Sequence, residues 1–400
     1  MTDKWENDKE IQIFREYLKI PSVHPNPDYE PCVEFLRRQA TSLAMDFKVY
    51  YPVNDKNPIV VLSLTGKDPS LPAIMLNSHM DVVPVFPEKW SHPPFSAHLD
   101  SDGKIFARGS QDMKCVGMQF LGAIRALKKD GVEFKRTIHA TFVPDEEVGG
   151  KLGMAKFVHT DDFKALNVGF SLDEGIASPT DTFPVFYAER PTWRVHFNCS
   201  GTPGHGSLLH KNTAGEKVRY MLDKMMDFRK HEVKRLESNP ELLIGDVTTV
   251  NLTRISGGVQ SNVVPPLLRI GFDIRLSMDV DHSNFMKKLE KWCEEAGGGI
   301  EIDIELKEPA MPKTTLDESN IYWTAFKKAV DALKLKIKTQ IFPAATDSRF
   351  VREVGIPAIG FSPMNNTPVL LHDHDEYLEA DVYLRGIDIY KKIINEVANC

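Results

Sequence analysis

The chain has 400 residues, of which 42% are hydrophobic and 26% charged, so it is long enough for two or three domains with a buried core. With 25 glycines, 26 prolines and no block of like charge, this composition excludes a long disordered or fibrous protein. The formal net charge of −7 is spread along the chain without a basic stripe, which argues against nucleic acid as a partner.

Two further features of the composition concern the compartment. Five cysteines, an odd number without a CxxC pair, are typical of reduced thiols in the cytoplasm. The first residues are charged from Asp3 onward, and no apolar run approaches the ~18 residues that would span a bilayer. We therefore expect a soluble, cytoplasmic protein with no membrane partner.

The first part of the chain alternates between helical and strand patterns. Helices are predicted over residues 11–18, 32–45, 113–127 and 151–158, and strands over 59–64, 73–76, 106–108, 137–143 and 168–172. Strands that alternate with helices predict an α/β domain with a mostly parallel sheet.

From about residue 187 the pattern changes. Strands are predicted over 193–198, 248–255, 268–274 and 300–304, with long helices over 214–236 and 284–295. The order β-α-β-β-α-β is that of a ferredoxin-like α+β domain. After Pro312 the α/β pattern returns, with a helix from Ile321, strands over 336–341 and 358–361, and a last helix that ends near Val397. We predict one α/β domain, residues 1–187 and 309–400, interrupted by an α+β insertion over 188–308.

Acidic or histidine residues follow four of the predicted strands. They are His79 and Asp81, Asp112, residues 145–147 (Asp-Glu-Glu), and Asp173 with Glu174. Ligands of open α/β sheets bind at the carboxyl ends of strands, so these side chains are expected to meet. Several carboxylates in one cleft are costly unless a cation neutralises them, and histidine and carboxylate ligands suit Zn²⁺ or a related ion. There are more carboxylates than one four-coordinate ion needs, which favours two ions with a shared carboxylate.

Each group also has an interpretation without a metal. A His-x-Asp pair is commonly a surface pair, and the acidic run 145–147 before two glycines is compatible with a helix N-cap and first turn. The fourfold repetition of a strand followed by an acid favours the metal site. A metal-free binding protein that kept the fold and lost the chemistry is the alternative from another class.

Several longer strings of the sequence can be compared with known families. They are residues 78–84 (SHMDVVP), 109–114 (GSQDMK), 145–150 (DEEVGG) and the C-terminal loop that contains His372. Together they resemble the M20 family of binuclear zinc exopeptidases and amidohydrolases, over essentially the whole chain. The similarity is greatest to members that hydrolyse N-acyl-L-amino acids, through residues 111–116, 172–175, 202–206 and 370–375. The fold that this implies is a zinc-exopeptidase-like catalytic domain with an inserted lid or dimerisation domain.

The resemblance implies two zinc ions per chain. One ion would be bound by His79, Asp112 and Glu174, and the other by Asp112, Glu147 and His372. Asp112 would therefore bridge the two ions.

The resemblance also implies the chemistry around these ions. Glu146 would be the general base for a bridging hydroxide that attacks the amide carbonyl. Asp81 would accept a hydrogen bond from the imidazole of His79 and fix its tautomer. The peptide bond between Asp112 and Met113 would be cis.

Further candidates lie outside the metal ligands. The resemblance implies that His205 stabilises the oxyanion and is supplied by the partner subunit of a homodimer. Asn262 and Arg275 are spaced like substrate-binding residues of related carboxypeptidases, and Arg275 is suited to bind a free α-carboxylate. Without the resemblance, Asn262 is a turn residue and Arg275 an exposed strand residue. Arg349 is either a carboxylate contact or a surface residue.

The predicted function is zinc-dependent hydrolysis of N-acyl-L-amino acids to a carboxylate and a free L-amino acid. A cytosolic dipeptidase or carboxypeptidase with the same ions is the nearest alternative. It differs only in what the acyl side of the pocket accepts.

Overall fold

The computed structural model describes residues 3–400, which form two compact units. The first unit contains the described residues up to Ala188, together with Pro312–Gln340 and Thr346–Cys400. The second unit contains Glu189–Met311 and Ile341–Ala345. The second unit thus interrupts the chain of the first twice, with one long and one short segment. None of the helices within residues 3–400 is long and apolar enough to cross a membrane.

Both helices and strands occur throughout the described residues. The helices are α1 (Asp3–Glu6), α2 (Lys9–Leu18), α3 (Glu30–Leu43), α4 (Lys114–Lys129), α5 (Met154–Phe157), α6 (Asp161–Ala165), α7 (Ala214–Glu237), α8 (His282–Glu295), α9 (Ile321–Ala332), α10 (Ser348–Glu353) and α11 (Ala380–Asn399). The strands are β1 (Asp46–Tyr50), β2 (Ile59–Leu64), β3 (Ala73–His79), β4 (His98–Leu99), β5 (Lys104–Phe106), β6 (Ile138–Val143), β7 (Val168–Asp173), β8 (Thr182–Glu189), β9 (Thr192–Ser200), β10 (Gly204–His205), β11 (Thr249–Gly257), β12 (Val263–Val264), β13 (Leu267–Arg275), β14 (Ile300–Lys307), β15 (Lys336–Phe342), β16 (Ala358–Phe361) and β17 (Tyr377–Glu379). Short 3-10 turns occupy Pro87–Lys89, Glu146–Val148 and Ile244–Asp246.

Capping side chains set the starts of several helices. Asp8 accepts hydrogen bonds from two main-chain N–H groups at the start of α2, and Asn320 does the same for α9. Thr213 and Glu216 form a reciprocal capping box at the start of α7. These bonds satisfy N–H groups that have no partner within the helix itself.

The first unit is built on an eight-stranded sheet with the order β1-β2-β6-β3-β7-β16-β8-β15. Its four central strands, β6, β3, β7 and β16, run parallel. Strands β1, β2 and β8 pair antiparallel at the sides. Both β3 and β6 are buried along their whole length, as expected for strands covered on both faces.

Alternate residues of the central strands pack into two different cores. Ile74 and Leu76 of β3 join the core that also contains residues of α2, α3, α4, α9 and α11. Met75, between them, joins a second core with residues of α5, α6 and α10. The alternation follows from the two-residue period of a strand.

The second unit is an antiparallel α+β structure. Its four-stranded sheet has the order β11-β13-β9-β14, and all three pairings are antiparallel. Trp193 and Phe197 of β9 pack against Met221 of α7 and Phe285 of α8 in a separate core. The unit has the predicted β-α-β-β-α-β order, with β10 and β12 as a small additional ladder.

The predicted fold class is confirmed, with differences in several elements. The parallel strands occupy the centre of a mixed sheet, and the sequence patterns predict neither β1 nor β8. β1 is an exposed-to-half-buried edge strand with no apolar run, and Pro184 interrupts the pattern of β8. The helix predicted over 151–158 begins only at Met154, because Gly149 and Gly150 adopt positive φ angles of 103° and 65° in the turn before it.

Gly117 tests the packing of α4 against the central sheet. A Cβ added at this position would lie 2.6 Å from Ser78 Oγ and 2.8 Å from Phe142 Cε1. We expect Gly117→Ala to lower the free energy of unfolding in urea by up to about 2 kcal/mol, because an overpacking cost of about 1–3 kcal/mol exceeds the helix-propensity gain of ~1 kcal/mol. The control is Gly215→Ala in α7, where the nearest atom to the new Cβ is 3.9 Å away. Equal effects of the two substitutions would contradict the prediction.

Candidate metal centre

Three neighbouring strands carry predicted site residues to one edge of the sheet. β3 ends at His79, and β7 ends one residue before Glu174. Glu146 and Glu147 lie in the 3-10 turn shortly after β6. Because β6, β3 and β7 are parallel and adjacent, their carboxyl ends meet at the same edge.

Asp112 and His372 come from outside this sheet. Asp112 follows β5, which belongs to a separate three-stranded sheet with the order β17-β5-β4. The expectation that Asp112 follows a strand of the main sheet is therefore wrong. His372 lies in the loop before β17 with a φ of 63°, and the bond from Asp112 to Met113 is cis. A left-handed backbone at a residue other than glycine is uncommon and is concentrated at functional sites.

These side chains form two groups of potential metal ligands. One contains His79, Asp112 and Glu174, and the other contains Asp112, Glu147 and His372, with the donor atoms of each group within 4.8 Å of one another. His79 Nε2 lies 3.1 Å from Asp112 Oδ1 and 3.6 Å from Glu174 Oε1. His372 Nε2 lies 3.1 Å from Asp112 Oδ2 and 3.0 Å from Glu147 Oε2. Asp112 thus directs one carboxylate oxygen at each group.

The electrostatics of the cluster fit divalent cations. Burial raises the pKa of Glu147 to about 7 and the pKa values of Glu146 and Glu174 well above the ordinary value. Hydrogen bonds to Asp112 and Glu147 raise the pKa of His372 to about 10. Glu147 Oε1 is buried and accepts no hydrogen bond from the described residues. A cation at each group would neutralise the carboxylates and occupy such an oxygen.

Asp81 holds the turn that carries Glu146 and Glu147. Its buried carboxylate accepts hydrogen bonds from Glu146 N (3.2 Å), Glu147 N (3.1 Å) and His24 Nε2 (2.8 Å). His79 Nδ1 lies 2.9 Å from the main-chain oxygen of Asp81 and 3.5 Å from its carboxylate. The nearest partner of the imidazole is therefore the main-chain carbonyl rather than the expected carboxylate. Burial raises the pKa of Asp81, but the hydrogen bond from His24 and the nearby imidazole of His79 outweigh burial and bring it to about 2.

Glu376 holds the loop that carries Asp112. The carboxylate of Glu376 is fully buried and lies 2.7 Å from Arg108 Nη1. It also accepts hydrogen bonds from the main-chain N–H groups of Gly109 (3.1 Å), Gln111 (2.6 Å) and Asp112 (3.3 Å). The carboxylate of Glu376 therefore fixes the path of the loop up to Asp112, which belongs to both groups of potential metal ligands.

Gln111 connects this loop to the loop of His372. Its Nε2 donates to the carbonyls of Pro368 (3.1 Å) and Tyr377 (2.8 Å), and its Oε1 accepts from Leu370 N (3.0 Å). These hydrogen bonds therefore connect the loop that carries Asp112 to the loop that carries His372.

His205 and Asn262 are neighbours in the second unit. β10, which contains His205, pairs with β12, and Gly206 N donates to the main-chain oxygen of Asn262 (2.8 Å). Both side chains are exposed, and His205 Nδ1 lies 2.7 Å from Ser207 Oγ.

Arg275 and Arg349 differ from simple surface arginines. Arg275 forms two hydrogen bonds with Asp273 (2.8 and 3.3 Å) and one with Thr192 Oγ1 (2.8 Å), so its guanidinium has a fixed orientation. Arg349 is 8% exposed, and its Nη2 donates to Gly149 O (3.1 Å) at the end of the turn with Glu146 and Glu147. The surface alternative for Arg349 is therefore wrong.

The sequence patterns do not identify three residues of this region. His24 stands alone in a proline-rich segment, Gln111 has no charge, and Glu376 is one of several acids in residues 373–376. The position of Glu376 just past the string that contains His372 is the signal that could have identified it. For His24 the sequence offers no such signal.

Comparisons with known proteins place the chain in a family. Residues 75–396 match the model of peptidase family M20/M25/M40. The chain belongs to this family. It is 51% identical over 391 residues to a mouse protein (Mus musculus) named Aminoacylase-1, covering 97% of the chain and 95% of the relative.

Solved structures share the fold at lower identity. An M20 family metallo-carboxypeptidase from Sulfolobus solfataricus is 18% identical, with a TM-score of 0.73 over 98% of this chain and 99% of that one. A tripeptidase from Staphylococcus aureus is 17% identical, with a TM-score of 0.74 over 98% of both chains. These likenesses concern the fold alone.

Glu376→Gln tests the importance of the buried carboxylate. The amide cannot accept all the N–H bonds and leaves Arg108 unpaired, so we expect the free energy of unfolding to fall by about 3–5 kcal/mol. The measurement is denaturant unfolding. The control is Glu133→Gln, which removes an exposed pair with Lys67 and is expected to change nothing measurable. Wild-type stability of Glu376→Gln would contradict the role of this carboxylate in the loop.

Proposed function

We propose that this protein is a zinc-dependent amidohydrolase that removes the acyl group from N-acyl-L-amino acids. The observation that carries the proposal is the double ligand set, in which the two oxygens of Asp112 face different groups. It is supported by 51% identity to a relative named Aminoacylase-1. Histidine and carboxylate donors without sulfur suit two Zn²⁺ ions per chain, bound by His79, Asp112, Glu147, Glu174 and His372.

Two such ions would polarise the amide carbonyl and make a water molecule acidic enough to attack it near neutral pH. Glu146 is the general base, because its pKa is raised by burial and it is not a member of either ligand group. It accepts a proton from the attacking water and returns it to the leaving amine. Asp81 orients this side chain through the main-chain N–H group of Glu146.

Four further residues complete the proposed chemistry. Arg275, oriented by Asp273, binds the free α-carboxylate, and the exposed amide of Asn262 contributes a further polar contact. His205 stabilises the oxyanion in the active site of the partner subunit. Arg349 contributes through its bond to Gly149 O, which supports the turn that carries the base.

The proposed assembly is a homodimer. The edge strand β11 exposes Ile255 (65%) and Leu252 (36%), and Val259 after it is 92% exposed. An apolar sheet edge without a partner is a surface that second copies of a chain commonly cover.

We also propose a cytoplasmic location, supported by the five scattered cysteines.

A hydrolysis screen on metal-quantified protein tests this function. N-acetyl-methionine is expected to be hydrolysed, and the dipeptide Ala-His slowly or not at all. The amide of N-acetyl-methionine, which lacks the α-carboxylate, is expected to be a poor substrate because Arg275 has no anion to bind. Preferred cleavage of the dipeptide would establish the peptidase alternative, and equal rates on acid and amide would exclude the carboxylate contact.

Glu146→Gln and Glu147→Gln form a matched pair of neighbouring substitutions. We expect Glu146→Gln to retain two ions and lose about 10²–10⁴ in kcat, since it removes proton transfer only. We expect Glu147→Gln to lower the metal content, since it removes a ligand. Elemental analysis and steady-state kinetics measure the two effects. The reverse pattern would mean that the two roles are exchanged.

Mixed dimers test whether His205 acts across the interface. His205→Ala and Glu146→Gln are each expected to be nearly inactive as homodimers. After one-to-one subunit exchange, half of the dimers are mixed and one of their two sites has both groups, so about a quarter of wild-type activity returns. No recovery after verified exchange would place His205 in its own subunit's site or outside any site.

A further inference from the structure

We propose that His24 is a positioning residue that fixes the carboxylate of Asp81 and, through it, the turn that carries Glu146 and Glu147. The inference rests on the proposed function for its kinetic consequence. Its structural consequence, the order of the turn, is independent of that function.

The segment that carries His24 is aligned with the segment that carries Asp81. Val23 and Val82 form a parallel bridge, His24 N donates to Val82 O (3.1 Å), and Val82 N donates to Ser22 O (2.9 Å). These main-chain bonds fix the register between the two segments. The imidazole of His24 is thereby placed beside Asp81 independently of its own side-chain bond.

The side-chain bond has one possible direction. Both carboxylate oxygens of Asp81 accept main-chain N–H groups, so this carboxylate acts as an acceptor and the proton between His24 Nε2 and Asp81 Oδ2 belongs to the histidine. The distance is 2.8 Å, and the side chains are 12% and 0% exposed. A hydrogen bond to a buried charge is among the stronger ones in proteins.

The same oxygen also serves the turn. Asp81 Oδ2 accepts from both His24 Nε2 and Glu147 N, whereas Oδ1 accepts from Glu146 N. His24 is the side-chain donor that completes this set, because His79 Nδ1 is closer to the main-chain carbonyl of Asp81 than to its carboxylate. Without the bond from His24, only the two main-chain bonds of the turn itself hold the carboxylate, so the turn has a less firmly fixed acceptor.

The substitutions His24→Gln and His24→Asn both introduce a polar amide, but only one of the two amides can replace the hydrogen bond to Asp81. The Nε2 atom of glutamine stands four bonds from Cα, as Nε2 of histidine does, whereas the amide nitrogen of asparagine stands only three bonds away. His24 borders an open cleft of about 700 Å³, so both amides can be accommodated. We therefore expect His24→Gln to keep the bond and His24→Asn to lose it.

The first measurement is hydrogen exchange of the backbone over residues 145–150. Exchange is expected to be faster in His24→Asn than in wild type and unchanged in His24→Gln. The second is metal affinity by chelator competition, which is expected to fall about tenfold or more in His24→Asn alone, in the range found for residues that support metal ligands. The third is kinetics, where kcat is expected to fall about 10–100-fold in His24→Asn with little change in KM.

The matched control is His98→Asn, a half-buried histidine of the same unit that stacks on His92. It is expected to behave as wild type in all three measurements. Equal behaviour of His24→Asn and His24→Gln in exchange and metal affinity would overturn the inference. A wild-type protein that does not hydrolyse N-acyl amino acids would overturn the proposed function alone, because exchange and affinity still decide the role of His24.

Discussion

The centre depends on main-chain N–H groups that point at two buried carboxylates. Asp81 accepts from the turn that carries Glu146 and Glu147, and Glu376 accepts from the loop that ends at Asp112. An ionised carboxylate has only acceptor sites, and burial makes each unfilled site costly. The two loops therefore take the paths that bring their N–H groups to these acids. The ligand oxygens then lie 3.0 and 3.1 Å from His372 Nε2.

The same arrangement concentrates charge that the protein alone does not balance. Asp112, Glu147 and Glu174 face two imidazoles, and Glu146 is buried beside them. Burial raises the pKa of three of these four acids, which shows how costly their ionised forms are without a cation. Two divalent ions carry a charge of +4, which equals the −4 of four ionised carboxylates. The charge of the cluster, like its geometry, supports the proposal of two divalent ions.

The sequence predicts the scaffold well where the pattern depends on burial. The strands that become β3, β6 and β7 are apolar runs bounded by acids, and their order already predicts a parallel core. The α+β order of the second unit follows from period and length in the same way. The sequence does not predict β5 as part of a separate sheet, because a three-residue strand has no distinguishing period.

The supporting residues are harder to predict than the ligands. His79 and Asp112 lie in sequence strings that are specific enough to resemble a family. His24, by contrast, is 57 positions away from Asp81 in the sequence, and the bridge between Val23 and Val82 brings the two residues together. Likewise, His79 Nδ1 is closer to the main-chain oxygen of Asp81 than to its carboxylate by less than 1 Å, and this small difference decides which oxygen is its partner. Such contacts are properties of the packed loops rather than of a local pattern.

The central claim is that Asp112 is shared by two ions. Elemental analysis of purified, fully active protein measures it most directly, with Asp112→Ala as the comparison. We expect two divalent ions per wild-type chain and the loss of both in Asp112→Ala, because each ligand group contains this residue. Full activity with a single ion per chain, or an Asp112→Ala protein that keeps both ions, would contradict it.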